Sequence, residues 1–121
     1  ELALVVGRTM RAVAPPAVRA HLFGCTIAND VTAMELINRD PSFAQWSRAK
    51  SFDTFGVLGP WIDTDFDWTG ASVHTRVNGR ERQNYPLADM FFSPADLVHR
   101  ISQDLVLEPG RRHPPPVGVL G

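Results

Sequence analysis

The chain opens on a strand. Glu1 is followed at once by Leu2-Ala3-Leu4-Val5-Val6-Gly7, a continuous apolar run with the length of a buried strand. A natural protein rarely begins inside a core strand, so sequence upstream of Glu1 is expected in the parent protein. Pro15-Pro16 then forces a break and opens a short helix through Ala20. His21 to Asn29 reads as a second strand, with Leu22, Phe23, Cys25 and Ile27 as its apolar members. Gly24 inside it predicts a bulge or a close approach of another backbone.

The remaining elements are short. Thr32 to Arg39 reads as helical and ends before Asp40-Pro41. Gln45 to Phe55, carrying Trp46, Lys50 and Phe52, reads as a short helix or irregular loop. Val57-Leu58 and Trp61-Ile62 are strand material around Gly59-Pro60. Ser72 to Val77 alternates as a strand, Asn78-Gly79 is a hairpin turn signal, and Arg80 to Asn84 is the returning strand. The clearest helix runs from Pro94 to Leu105. Ser93 is its N-cap, Pro94 its first residue, and Leu97, Val98, Ile101 and Leu105 recur at helical spacing. Pro109-Gly110 ends it, and residues 111–121 form a Pro-rich tail of extended coil after Arg111-Arg112-His113.

A length of 121 residues allows one core. Twelve basic against thirteen acidic residues leave a net charge of −1, which argues against an electrostatic nucleic-acid binder. No apolar run approaches the roughly 18 residues of a membrane-spanning helix. The single cysteine, Cys25, excludes an internal disulfide and fits a reducing, cytoplasmic setting. Eleven of the twelve basic residues are arginine, so Lys50 stands alone as an amine able to shift its pKa or give up a proton.

Few residues offer chemistry. Asp63, Asp65 and Asp67 would share one face of a strand and could bind a hard cation, yet they lack the glycine and distal glutamate of a calcium loop. The plainer reading is a solvated acidic loop. His21, His74, His99 and His113 lack zinc spacing, and His99, mid-helix, is expected at the surface. Cys25 reads as a small core residue. There remain Asn29-Asp30 at a strand end and Arg48-Ala49-Lys50-Ser51-Phe52-Asp53 in a loop. Each alone is a weak signal, since a strand-end aspartate is usually a turn or cap residue.

These residues carry a resemblance. Phe23-Gly-Cys-Thr-Ile-Ala-Asn-Asp-Val-Thr-Ala33, Arg48-Ala-Lys-Ser-Phe-Asp-Thr-Phe55, Leu58-Gly-Pro-Trp-Ile62, Thr75-Arg-Val-Asn-Gly79 and Leu107-Glu-Pro-Gly110, with Glu1–Gly7 before them, resemble the fumarylacetoacetate hydrolase family. The similarity is greatest to its bacterial 2-hydroxyhepta-2,4-diene-1,7-dioate isomerase and acylpyruvate hydrolase branch. The resemblance implies an α+β, mainly β fold: a mixed β-roll with short peripheral helices, here incomplete. It implies a partial catalytic domain over residues 1–110 followed by the divergent tail.

It further implies a divalent cation, Mg²⁺ or Mn²⁺, held by an E-x-E pair and a later aspartate. Glu1 matches the second glutamate and Asp30 the aspartate. Lys50 matches the family's active-site lysine and is the implied catalytic residue. Lys50, Ser51, Phe52, Gly59 and Pro60 would shape the substrate pocket. Oxygen ligands suit a hard cation, which would act as a Lewis acid on a 2-oxo acid, and an ammonium beside it would stabilise a developing enolate. The implied activity is hydrolysis, isomerisation or decarboxylation of small 2-oxo or enol acids of aromatic catabolism, in a homodimer.

The departures are specific. The first glutamate of E-x-E would lie two positions before Glu1. Where the family often reads A-R-[DE]-x-Q, this chain has Ala33-Met34-Glu35-Leu36-Ile37. After Gly110, Arg111 to Pro116 replaces a strand that carries a substrate-contacting threonine. The alternative function is therefore a non-catalytic remnant or fragment that keeps the fold and, at most, weak metal or ligand binding.

Overall fold

The computed structural model describes residues 1–110, so the Pro-rich tail lies outside the described residues. Strands β1 (Leu2–Val6), β2 (Leu22–Asn29) and β3 (Val57–Asp63) form one antiparallel sheet in that order. Strands β4 (Ser72–Val77) and β5 (Arg80–Pro86) form a separate hairpin. Three short helices complete the fold: α1 (Met34–Asn38), α2 (Trp46–Ala49) and α3 (Pro94–Asp104), with 3₁₀ turns at Pro15–His21 and Leu87–Asp89. The protein is thus mainly β with short helices around it, and every strand pairing among the described residues is antiparallel. No described helix is long and apolar enough to cross a membrane.

Local chemistry explains the elements. Gly24 does both things its position suggests. The register slips opposite it, between Val5 and Val6, and a Cβ at Gly24 would sit 2.4 Å from the Asp63 carbonyl oxygen of β3. Asn78 and Gly79 both take positive φ, 51° and 76°, as a tight hairpin turn requires. The Ser93 hydroxyl accepts the Asp96 backbone N–H at 3.1 Å and donates to the Asp96 carboxylate at 2.6 Å, closing the start of α3.

The hydrophobic core lies where α3, the 3₁₀ turn at Pro15–His21 and the end of β1 meet. Met10, Val18, Val98 and Leu107 are its buried members, flanked by Leu4, Val6, Leu22 and Ile101. Met10 and Leu107 exchange backbone hydrogen bonds of 2.8 and 3.0 Å, an isolated bridge that ties two distant loops.

Two expectations are corrected and one choice is decided. The helix ends at Asp104, one residue short of Leu105, which caps it and is half-exposed, while Ser102 is the fully buried residue on that face. His99 is not a free surface group, because its Nδ1 lies 2.8 Å from the Val13 carbonyl oxygen. Asp63, Asp65 and Asp67 take the plainer reading, an exposed acidic loop rather than a strand face, since β3 ends at Asp63. Their carboxylates instead close local turns: Asp63 accepts the Asp65 N–H at 2.9 Å and Asp67 accepts the Thr69 N–H at 3.1 Å. Those bonds from Thr69, with Arg19 nearby, hold the Asp67 carboxyl below its usual range.

Candidate active site

Antiparallel pairing places the start of β1 beside the end of β2. The Glu1 nitrogen donates to the Ala28 carbonyl at 2.9 Å, and the Glu1 carbonyl accepts the Ala28 N–H at 2.9 Å. Asp30 follows two residues beyond Ala28, so the two carboxylates become diagonal neighbours at one end of the sheet. Burial pushes the Glu1 carboxyl above its usual range; the Asp30 carboxylate adds to that push, while the Glu1 ammonium and Lys50 oppose it. One Glu1 oxygen, Oε2, is buried without a hydrogen-bond partner.

Lys50 arrives from the other side. The Ala33 N–H donates to the Ala49 carbonyl at 2.9 Å, pinning the one-turn helix α2 against the loop that leaves β2. Lys50 caps that turn, its N–H bonded to the Trp46 carbonyl at 3.2 Å. Its Nζ forms an ion pair with Asp30 Oδ2. Both side chains are largely shielded, at 22% exposed for Lys50 and 15% for Asp30, so the pair is screened less than a surface bridge. Trp46, one helical turn before Lys50, lays its ring 5.7 Å from the ammonium.

Asp30 and Lys50 lie at the polar end of an open cleft of about 1120 Å³. Ser51, Gly59 and Pro60 line the same cleft. Gly59 has φ 132°, which favours glycine there, and precedes a cis peptide to Pro60. Phe52 is placed differently. It is not among the lining residues and packs edge-on against Phe55, 5.5 Å between ring centroids, and Phe55 does line the cleft. Glu1 faces a small separate cavity of about 70 Å³ that it shares with Val73, Gln83 and Tyr85 of the hairpin. Sequence reasoning missed Trp46 as a partner of Lys50, although the spacing of four on a helix was available. It also missed Asn29, Val57 and Leu58 as cleft residues.

The donors present are those a hard cation takes: two carboxylates, one with an unpartnered oxygen. Among the described residues no three His, Cys, Asp or Glu side chains converge. Of these two carboxylates, Asp30 is paired with Lys50.

The family profile described as fumarylacetoacetate (FAA) hydrolase C-terminal matches residues 1–111. The chain belongs to the fumarylacetoacetate hydrolase family. A solved 2-hydroxyhepta-2,4-diene-1,7-dioate isomerase from Mycobacterium marinum superposes with a TM-score of 0.83 at 38% identity, covering 91% of this chain and 42% of that one. A 2,4-didehydro-3-deoxy-L-rhamnonate hydrolase from Sphingomonas is 34% identical over 91% of this chain and 39% of its own length. An oxaloacetate tautomerase from Bacillus subtilis is 35% identical over 91% of this chain and 36% of its own. This chain therefore spans less than half of each of these relatives. Family members so named include an isomerase, a hydrolase and a tautomerase, so one scaffold carries several reactions on related acids.

Proposed function

We propose that the chain carries the acid-binding centre of a metal-dependent hydrolase, isomerase or decarboxylase that acts on 2-oxo or enol acids. The observation that supports it best is the meeting of Asp30 and Lys50 at the cleft. Glu1 and Asp30 would hold Mg²⁺ or Mn²⁺, which when bound supplies Lewis-acid polarisation of a keto oxygen. The rest belongs to the protein's own groups. Asp30 holds the Lys50 ammonium in place. That ammonium supplies positive charge, and a proton, where an enolate oxygen develops. Trp46 covers one side of the ammonium and limits its access to water. Ser51, Gly59 and Pro60 shape the cleft around the acid.

Thermal unfolding with Mn²⁺ plus oxalate, a mimic of an enolised 2-oxo acid, tests this reading. Ligand that binds only the folded chain raises the melting temperature. The expected result is a rise in the native chain that Asp30→Ala abolishes. The two-carboxylate donor set favours a second reading, a remnant that keeps the fold without catalysis. Absence of any rise supports that reading and sinks the first.

A further inference from the structure

Residues 51–56 join Lys50 to β3, and both ends of this segment are fixed to the end of β2. At one end Lys50 pairs with Asp30. At the other, Val57 pairs with Asn29. Between these anchors the chain turns sharply. The Phe55 N–H donates to the Phe52 carbonyl at 3.0 Å, and the two rings meet edge-on across the turn. Thr54, the third residue of that turn, takes φ 70°. A type II turn needs a left-handed residue at this position, and glycine is the usual one.

Gly56, two residues on, has the same φ of 70°, and a Cβ there would meet nothing within 4 Å. At that position the sequence supplies the residue that the backbone requires. At Thr54 it supplies a β-branched residue, for which a left-handed φ is a true outlier. No contact among the described residues offsets it: Thr54 is exposed, its hydroxyl makes no hydrogen bond, and it does not line the cleft. Such strain persists only where the surroundings over-determine the backbone. Here the anchors are the Asn29–Val57 pairing and the Lys50–Asp30 ion pair. The first is fixed in the sheet, whereas the second is held by side chains that can part.

We infer that Thr54 is a positioning residue: its strained turn loads the Lys50–Asp30 ion pair, so that the pair opens more readily when a divalent cation takes Asp30. The inference rests on the acid-binding reading above, which asks one carboxylate to serve both a cation and Lys50, and it deepens that reading. Relaxing the turn leaves the ion pair tighter and the carboxylate harder to recruit.

The test is a double-mutant cycle on the full chain. Thr54→Gly relaxes the turn, and Lys50→Gln removes the ion pair. The four chains are melted without metal and then across a Mn²⁺ titration. Glycine also loosens the unfolded chain, but that effect is the same with either residue at position 50 and cancels in the cycle. Without metal, Thr54→Gly is expected to shift the melting temperature upward by about 2–6 °C more in the native background than in Lys50→Gln. It is expected to weaken Mn²⁺ binding about three- to tenfold with Lys50 present, and to leave it unchanged in Lys50→Gln. A residue that only holds the fold moves stability and affinity together, whereas these move in opposite directions. If Lys50→Gln does not fold, the opposite signs in Thr54→Gly alone carry the test. Thr54→Val keeps the β-branch without the hydroxyl and is expected to match the native chain in both readouts. Equal effects of Thr54→Gly in the two backgrounds, or Mn²⁺ binding in Thr54→Gly as tight as in the native chain, overturn the inference and leave the acid-binding centre standing. A Thr54→Val chain that behaves like Thr54→Gly overturns it too, because the hydroxyl and not the strain would then be responsible. No Mn²⁺ response in any of the chains overturns both readings.

Discussion

The two ends of this molecule handle apolar surface in opposite ways. Around α3 the chain closes on itself: Met10 and Val18 are fully buried, and Val98 and Leu107 are nearly so. Along β3 it stays open. Leu58, Trp61 and Ile62 are 49%, 72% and 45% exposed, and Phe23 and Ile27 of β2 are more than half exposed. The closed end is a core that this chain supplies by itself. The open end holds the candidate site, and its apolar strand stays exposed. Stability is therefore expected to reside at one end and ligand response at the other.

The largest effect that separates the ends is at the core. Met10→Ala removes a fully buried side chain whose backbone also bridges to Leu107. It should cost about 2–5 kcal/mol, because the lost transfer energy adds to the cavity left behind. Urea unfolding measures this. A cost under about 1 kcal/mol would mean that the closed end is not where the fold is held.

A smaller loss is expected at the seam between the ends. Gly24→Ala places a Cβ 2.4 Å from the Asp63 carbonyl oxygen and 2.8 Å from the Ile62 Cγ2. The contact is with backbone, so β3 has to move. The expected cost is about 1–3 kcal/mol. Because β3 begins beside Asp30, the shift should also weaken the Mn²⁺–oxalate response. A destabilised variant with an unchanged response would show that the site does not depend on the placing of β3.

Much of this contrast was legible in the sequence, and the failures have physical causes. Strands β1 and β2, the Asn78-Gly79 turn and the Ser93 cap are written in local chemistry, and local chemistry decided them. Met10 was not legible. It lies between Thr9 and Arg11 in no apolar period, and only its pairing with Leu107, far along the chain, buries it. Ser102 was hidden because it is polar. It is buried at no cost in unmade bonds, accepting the Val13 N–H at 3.1 Å and donating to the His99 carbonyl at 2.8 Å. The alternation of Asp63, Asp65 and Asp67 imitated a strand face, but short aspartate side chains bond their own backbone two residues on and make turns instead. Asp30 and Lys50 were visible through the family resemblance. Their meeting needed the contact of α2 with the end of β2, which no single segment encodes.

The smallest effect should come from the open end. Trp61 is 72% exposed, and its main structural contact is through the backbone: its carbonyl accepts the Thr26 hydroxyl at 2.7 Å. Trp61→Ser keeps that bond and removes only exposed surface. In a chain that stands alone the change should fall within about 0.5 kcal/mol, and dilution should not alter it. A larger loss that grows with protein concentration would show a second copy seated on β3, because binding that favours the folded state stabilises it by mass action. The same substitution therefore distinguishes an open face that is merely exposed from one that a partner covers. In the second case the two ends would differ in what closes them, the chain's own side chains at one and another chain's at the other.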